Sequence, residues 1–364
     1  MRLQSVRDLK LELAVEVFAP IAERLLERAK ALNTRLGIVP PLQRLCIGIG
    51  KGARPGDFRL AVRLQSQSAL LRDLVERIRE KAGGEIDVAF IGRVKPLIRK
   101  PLKQRAGKPA EKPSASGKLQ ESAKGVPANT AKISPQELQK LHRPLTIGYS
   151  VGHVQTTAGT IGLLARHRKT GRPVILSNSH VLAQSGLATP GDEVTQPGKL
   201  DGGVATDQVA ALLDFVPMKT EGSNLVDAAI AVIDDSVAID AAAIPGIGAV
   251  TIVDGEPILP GQQVMKVGRT SAFTQGEIMV TELDDVAVDY AGVGVVVFDD
   301  QIEIKGFPGI PFSREGDSGS LVVNTNNRAI GLLFAGNPDL NDGTGLSFAN
   351  PLGKVMTALD LVTL

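Results

Sequence analysis

The chain is poor in several things. Among its 364 residues there is one cysteine, Cys46, so no internal disulfide can form. Tryptophan is absent and aromatic residues make up 3%. The core must therefore be built from Val, Ile, Leu and Ala, which suits many short strands better than one large aromatic pocket. No apolar stretch reaches the eighteen or so residues of a membrane-spanning helix without meeting a charge or a turn former. The N-terminal residues 1–30 carry a charge every few positions and lack both an apolar run and a small-residue cleavage site, so no signal peptide is expected. With a lone thiol, the expected setting is a cytoplasmic one with no membrane partner.

What is present is turn-rich and globular: 43% hydrophobic, 22% charged, 39 Gly and 22 Pro. These values exclude wholesale disorder, collagen and coiled coil, and the length suggests about two domains. Charge is divided unevenly. Residues 1–98 hold 18 basic against 11 acidic groups, residues 99–144 hold 11 against 3, and residues 145–364 hold 12 against 25. A basic front and an acidic back fit a two-domain chain with a solvated linker. No aromatic residues interleave with the basic ones, so nucleic acid is not an expected partner.

Apolar positions at helical spacing over 6–33 (Leu9, Leu13, Val17, Ile21, Leu25) predict an opening helix, stopped by Gly37 and Pro40-Pro41. Strands are predicted over 45–50 and 58–64, a helix over 68–81 and a strand over 86–94, giving an α-β-β-α-β unit. The tract GIGKG at 48–52 has no Ser or Thr after Lys51, so it is no phosphate loop, and its glycines are expected to make a hairpin. Residues 99–136, dominated by Pro, Gly, Ser, Ala and Lys, read as a flexible linker, followed by a short helix at 134–141 that Ser134 and Glu137 would cap. Beyond Pro144, short apolar runs alternate with turn formers every eight to twelve residues, the texture of a β-sandwich or barrel. A last helix is predicted over 351–361.

Four histidines, at 142, 153, 167 and 180, limit the choice of a base that titrates near neutrality. His167 sits in the charged tract ARHRKTGR and reads as a solvated turn residue. His180, in PVILSNSHVLA, ends an apolar strand and precedes a Gly/Pro-rich loop, where a strand can present an imidazole to a cleft. In NLVDAAIAVID, Asp227 precedes an apolar run that carries its carboxylate inward, where it needs a hydrogen-bond donor. In SREGDSGSLVV, glycines on both sides of Ser318 allow a tight turn that exposes the hydroxyl and lets the N–H groups of Gly316 and Ser318 converge on an oxyanion. His, Asp and Ser in that order form one of the chain orders of the acyl-transfer triad. Arg269 and Thr270 read as a structural turn. The acidic pairs 284–285 and 299–300 read as solvated surface, so no metal is predicted.

The tracts LSNSHVLA, VDAAIA and GDSGSLV resemble the His, Asp and Ser motifs of trypsin-like serine proteases. KVGRTSAFTQGEI, GLLFAG and SFANP resemble, more narrowly, an intracellular bacterial branch related to the plant narrow-leaf protease. The resemblance spans about 144–364. The residues ahead of it read, from periodicity and composition, as a small α+β domain over 1–98 and a flexible basic linker over 99–143, and the resemblance itself implies a chymotrypsin-like double β-barrel, mainly β. It implies that Ser318 is the nucleophile, His180 the base and then the acid, Asp227 the orienting carboxylate, and Gly316 with Ser318 the oxyanion hole. No cofactor is needed.

Six residues before the nucleophile, where the resemblance to trypsin-like proteases implies an Asp in pockets that take basic side chains, this chain has Phe312, so cleavage after Arg or Lys is not expected. Phe334, Ala335, Gly336 and Ser347 complete a pocket suited to a small or medium apolar side chain. The expected function is a serine endopeptidase acting on proteins or peptides. The resemblance also suggests a homo-oligomer, and the exposed linker suggests self-cleavage there. The alternative is a non-catalytic or latent barrel serving as a binding or self-processing regulator.

Overall fold

The computed structural model describes residues 1–23, 44–98, 133–155, 158–338, 340 and 343–364. The second half of the predicted opening helix and the predicted linker as far as residue 132 lie outside these.

The opening helix α1 (Leu3–Leu13) buries Val6, Leu9 and Leu13 on one face, and a single π-type turn at Ala14–Phe18 keeps Val17 on that face. Strands β1 (Leu45–Lys51) and β2 (Phe58–Leu64) pair as a hairpin from Leu45 opposite Leu64 to Lys51 opposite Phe58. Helix α2 (Ala69–Lys81) starts where the Ser68 hydroxyl accepts the Leu71 N–H. Strand β3 (Ile86–Phe90) then runs parallel to β2. The order of these elements is the one the periodicity predicts. The two-residue strand β4 (Lys95–Pro96) follows.

Past the linker the chain builds two sheets. The first contains β5 (Ser150–His153), β6 (Gly159–Thr160), β7 (Leu163–His167), β8 (Pro173–Ser177), β9 (Glu193–Thr195), β10 (Gln208–Phe215) and β11 (Ala229–Ile233). The single-turn helix α3 (Ser179–Leu182) follows β8 directly.

The second sheet takes β12 (Gln263–Gly268), β13 (Ala272–Asp284), β16 (Gln301–Gly306), β17 (Leu321–Asn324), β18 (Ala329–Asn337) and β19 (Leu346–Pro351). Between β13 and β16, β14 (Val286–Tyr290) and β15 (Gly294–Phe298) form a hairpin. Helix α4 (Leu352–Ala358) leads to β20 (Leu361–Thr363), which pairs with β7 at the edge of the first sheet.

The second sheet closes. Its order β12-β17-β18-β19-β16-β13 is completed by pairing of β13 back onto β12, and the first sheet, β20-β7-β8-β11-β10-β9-β5-β6, curls as a half-barrel beside it. Closure removes the exposed edges that an open antiparallel sheet would have to protect. The architecture is mainly β, a chymotrypsin-like double barrel. Val, Ile, Leu and Ala fill its larger core, as the shortage of aromatics requires.

The N-terminal strands continue the second sheet. β1 pairs antiparallel with β13, Gly50 opposite Val280 and Ile49 opposite Thr281. Gly48 and Gly50 therefore do not turn the hairpin, as the sequence suggests; they lie within β1, and the turn falls at 52–57, where the Gly52 N–H bonds the Asp57 carbonyl. A Cβ on Gly48 would overlap Val280 Cγ1, so glycine is what lets β1 approach β13. Gly48→Ala is expected to destabilise the protein by about 1–3 kcal/mol through overpacking, read as a lower denaturant midpoint with unchanged slope.

One buried ion pair fastens the same seam. Arg63 of β2 donates two hydrogen bonds from Nε to Glu303 of β16, at 3.0 and 2.9 Å, and one from Nη2 to Asp87 of β3 at 3.0 Å. Both Arg63 and Glu303 are buried.

Candidate functional site

His180 sits in α3, immediately after β8, and the strand's interior path carries it beneath the surface. Asp227, just before β11, is fully buried beside it. One carboxylate oxygen, Oδ2, meets His180 Nδ1 and also accepts the Tyr290 hydroxyl at 2.7 Å; the other, Oδ1, accepts the His180 backbone N–H at 3.3 Å. The Asp227 backbone is fixed in turn: its N–H bonds Asn350 Oδ1 at 3.0 Å, and its carbonyl accepts Asn178 Nδ2 at 2.8 Å. Both oxygens of the buried carboxylate thus have hydrogen-bond donors, as a buried polar group requires. The other imidazole nitrogen, His180 Nε2, is buried and has no hydrogen-bond partner.

Tyr290 comes from the β14–β15 hairpin, an element the sequence reading did not connect with the site. Its ring lies 6.1 Å from that of His180 and 6.1 Å from that of Phe298. Burial, and after it the neighbouring Asp227 charge, pushes the phenol well above its ordinary range, so it stays a donor at any physiological pH.

Ser318 lies in the loop before β17. Gly316 and Gly319 have φ of +103° and +90°, a backbone that favours glycine. The loop is shaped by Asp317, whose carboxylate accepts the N–H groups of Thr270 (2.9 Å), Ser271 (3.1 Å) and Arg314 (2.9 Å) and meets Lys266 Nζ at 3.2 Å. Burial alone would raise Asp317, yet the Lys266 charge and these donors hold it below the usual carboxylate range. Lys266, itself wholly buried, is pushed down by desolvation.

The loop faces the first barrel across Gly159, where a Cβ would stand 2.5 Å from Val181 Cγ2, the neighbour of His180, and 2.9 Å from the Ser318 carbonyl. The Ser318 hydroxyl bonds the Phe334 carbonyl at 3.3 Å.

Arg269 is more than a turn residue. It is fully buried, paired with Asp201, and its guanidinium fills the space a Cβ on Gly316 would need. The guanidinium, paired with Asp201, thus packs against the back of the serine loop at Gly316.

The predicted pocket residues divide. The Gly336 backbone lines a slot holding Leu97, and a Cβ there would touch Leu97 Cδ2 at 3.2 Å. Phe312 is buried in the same apolar cluster as Leu97, its ring close to Gly276. Ser347 shares a 2.7 Å hydroxyl contact with Ser313. The Phe334 ring turns away, 5.0 Å from Phe298, so that residue gives the slot its carbonyl rather than its side chain. Ala335 pairs with Pro96 of β4.

The remaining histidines lie elsewhere. His142 stacks on Tyr149 at 3.9 Å, and His153 meets Asp192 at 3.1 Å. His167 is buried rather than solvated: the alternation of β7 turns Arg166 out and His167 in, where Nδ1 meets the Thr170 hydroxyl at 3.0 Å.

Two barrels with an imidazole–carboxylate pair on the first and a glycine-flanked serine loop on the second define a chymotrypsin-type fold. Residues 137–363 match the family model described as the Nal1 C-terminal domain. The chain belongs to that family. No curated protein matches the chain. Among solved structures, Thermobifida fusca protease A is similar at 17% identity with a TM-score of 0.43, covering 60% of this chain and 100% of that one. Nocardiopsis protease is similar at 16% and 0.43, covering 60% and 98%, and Cellulomonas bogoriensis chymotrypsin at 16% and 0.42, covering 60% and 99%.

Proposed function

We propose that the protein is a serine endopeptidase that works through a covalent acyl-enzyme. The observation that carries the reading is His180: one ring nitrogen is locked on a buried carboxylate, the other is buried without a partner, and the next residue, Val181, packs with the Ser318 carbonyl around Gly159. An orphaned buried nitrogen costs free energy and needs an explanation; a nitrogen kept free to take and return a proton is one. Ser318 attacks the peptide carbonyl, His180 Nε2 takes its proton and later gives it to the leaving amine, and Asp227 stabilises the imidazolium. The N–H groups of Gly316 and Ser318 receive the oxyanion, with Arg269 behind them.

The apolar slot at Gly336 and Phe312 selects a small or medium apolar side chain at the cleaved position. The described residues among 1–98 form a docked α+β unit, and the cluster that Cys46, Ala61, Ile91 and Val94 share with Tyr290, Phe298 and Phe334 supports the carboxylate side of the site. The lone buried thiol suits action inside the cell. Incubation with a peptide library, with Ser318→Ala as control, is expected to give cleavage after Leu-sized apolar residues. A profile dominated by Arg or Lys contradicts the pocket assignment, and no difference from Ser318→Ala contradicts the activity.

Tyr290 is a positioning residue. Losing a hydrogen bond to a charged acceptor costs about 1.5–3 kcal/mol, so Tyr290→Phe is expected to lower kcat by about 10-fold to 100-fold with KM little changed. A kcat that stays at the parent value while the melting temperature falls assigns Tyr290 to packing alone.

A further inference from the structure

The slot beside Ser318 is filled by the protein's own chain. Lys95 and Pro96 pair antiparallel with Gly336 and Ala335 of β18. The Leu97 N–H donates to the Phe334 carbonyl at 3.2 Å, and the Leu97 carbonyl accepts the Gly316 N–H at 2.6 Å. The Leu97 side chain is buried in the apolar cluster of the second barrel. An extended peptide that adds a strand to a sheet edge, buries one side chain and rests its carbonyl on an oxyanion donor is bound as a substrate is bound. Pro96 makes this pairing at a position that needs no N–H.

The segment is also held ahead of the slot. The Asp289 N–H bonds the Val94 carbonyl at 3.1 Å, and Asn337 Nδ2 bonds the Ile91 carbonyl at 2.9 Å. Asp317 already has Lys266 and its backbone donors, so the serine loop is shaped while the chain is uncut.

We propose that Leu97–Ile98 is the enzyme's own cleavage site, cut within one chain; this rests on the endopeptidase reading above. Ser318 Oγ adds to the Leu97 carbonyl carbon, and its proton passes to His180 Nε2. The Leu97–Ile98 C–N bond breaks as His180 protonates the Ile98 nitrogen, which leaves as a free amine. Water then adds to the acyl carbon, giving a proton through His180 back to Ser318 and leaving a carboxylate at Leu97. One water is consumed per bond cut. The bond lies just before the stretch that the sequence alone marks for nicking. Because β1 and Arg63 remain on the second barrel, the 1–97 fragment stays attached after the cut.

Purified full-length protein, incubated and read by intact mass under denaturing conditions, tests this. The expected products are residues 1–97 and 98–364, formed at a rate unchanged over a tenfold range of protein concentration and absent in Ser318→Ala. Leu97→Met is expected to be cut within about 10-fold of the parent rate, and Leu97→Asp about 100-fold or more slowly, since a carboxylate is placed in an apolar slot. If Leu97→Asp does not fold, the parent, Leu97→Met and Ser318→Ala still decide. A chain that hydrolyses a Leu-containing peptide and yet stays intact at 97–98 overturns the self-cleavage site and leaves the endopeptidase reading standing. A rate that rises with concentration, or the same cut in Ser318→Ala, overturns cutting within one chain. No cut together with no peptide hydrolysis by the parent or by Leu97→Asp overturns both readings.

Discussion

Ser318→Ala is expected to lower kcat for peptide hydrolysis by about a million-fold, the scale seen when a member of such a hydrogen-bonded unit is removed. Asp227→Asn is expected to cost about 10⁴-fold, because an amide in that place favours the wrong imidazole tautomer. The two losses are not expected to add: the double variant should resemble Ser318→Ala alone, since the carboxylate acts only through the serine and the imidazole. Steady-state kinetics on one Leu-containing peptide checks all three. The melting temperature of Ser318→Ala should match that of the uncut parent closely, because the hydroxyl's hydrogen bond is to the Phe334 carbonyl at 3.3 Å.

The largest expected loss of stability comes from the seam between the N-terminal unit and the second barrel. Arg63→Met leaves Glu303 buried without the guanidinium it pairs with, and breaking such a pair by removing one partner costs about 3–5 kcal/mol. Adding Glu303→Leu should return much of that loss, since a well-packed apolar pair can replace a buried ionic one.

The sign of the pH dependence follows from Glu303. Burial pushes its carboxyl up, and Arg63 holds it down; without Arg63 the folded-state value rises further. A group raised in the folded state favours folding below its unfolded value, and that favour is lost as pH rises through the folded value. The deficit of Arg63→Met should therefore be smaller at pH 5 than at pH 8. Thermal unfolding at the two values measures it, and a deficit independent of pH would mean that Glu303 is not the group left charged.

The candidate site was legible in the sequence wherever local geometry constrains the letters. Gly316 and Gly319 are needed because the loop takes positive φ on both sides of Ser318, and that requirement shows in four adjacent residues. Asp227 was readable because a carboxylate opening an apolar strand must have an interior donor. Tyr290 and Asn350 left no such trace. Each touches Asp227 with one polar atom across long sequence separation, and as letters they look like any strand residue.

Strand β4 could not be found by periodicity, since two residues, one of them Pro, show no alternation. The joining of β1 to β13 was equally hidden. LCIGIG is buried on both faces, so its pattern names a strand but not the neighbour it pairs with. His167 misled because its neighbours are charged, while β7 turns Arg166 out and the His167 ring inward.

The measurement closest to the central claim is covalent labelling by a fluorophosphonate, read by intact mass and peptide mapping. It should be made on the full-length parent, on Leu97→Asp, on Ser318→Ala and on His180→Ala. One adduct per chain on Ser318 is expected in the parent, faster in Leu97→Asp because the slot beside the serine is emptied, and none is expected in Ser318→Ala or His180→Ala. Failure of both the parent and a folded Leu97→Asp to label, or labelling that persists in Ser318→Ala, would contradict an assembled nucleophile at Ser318.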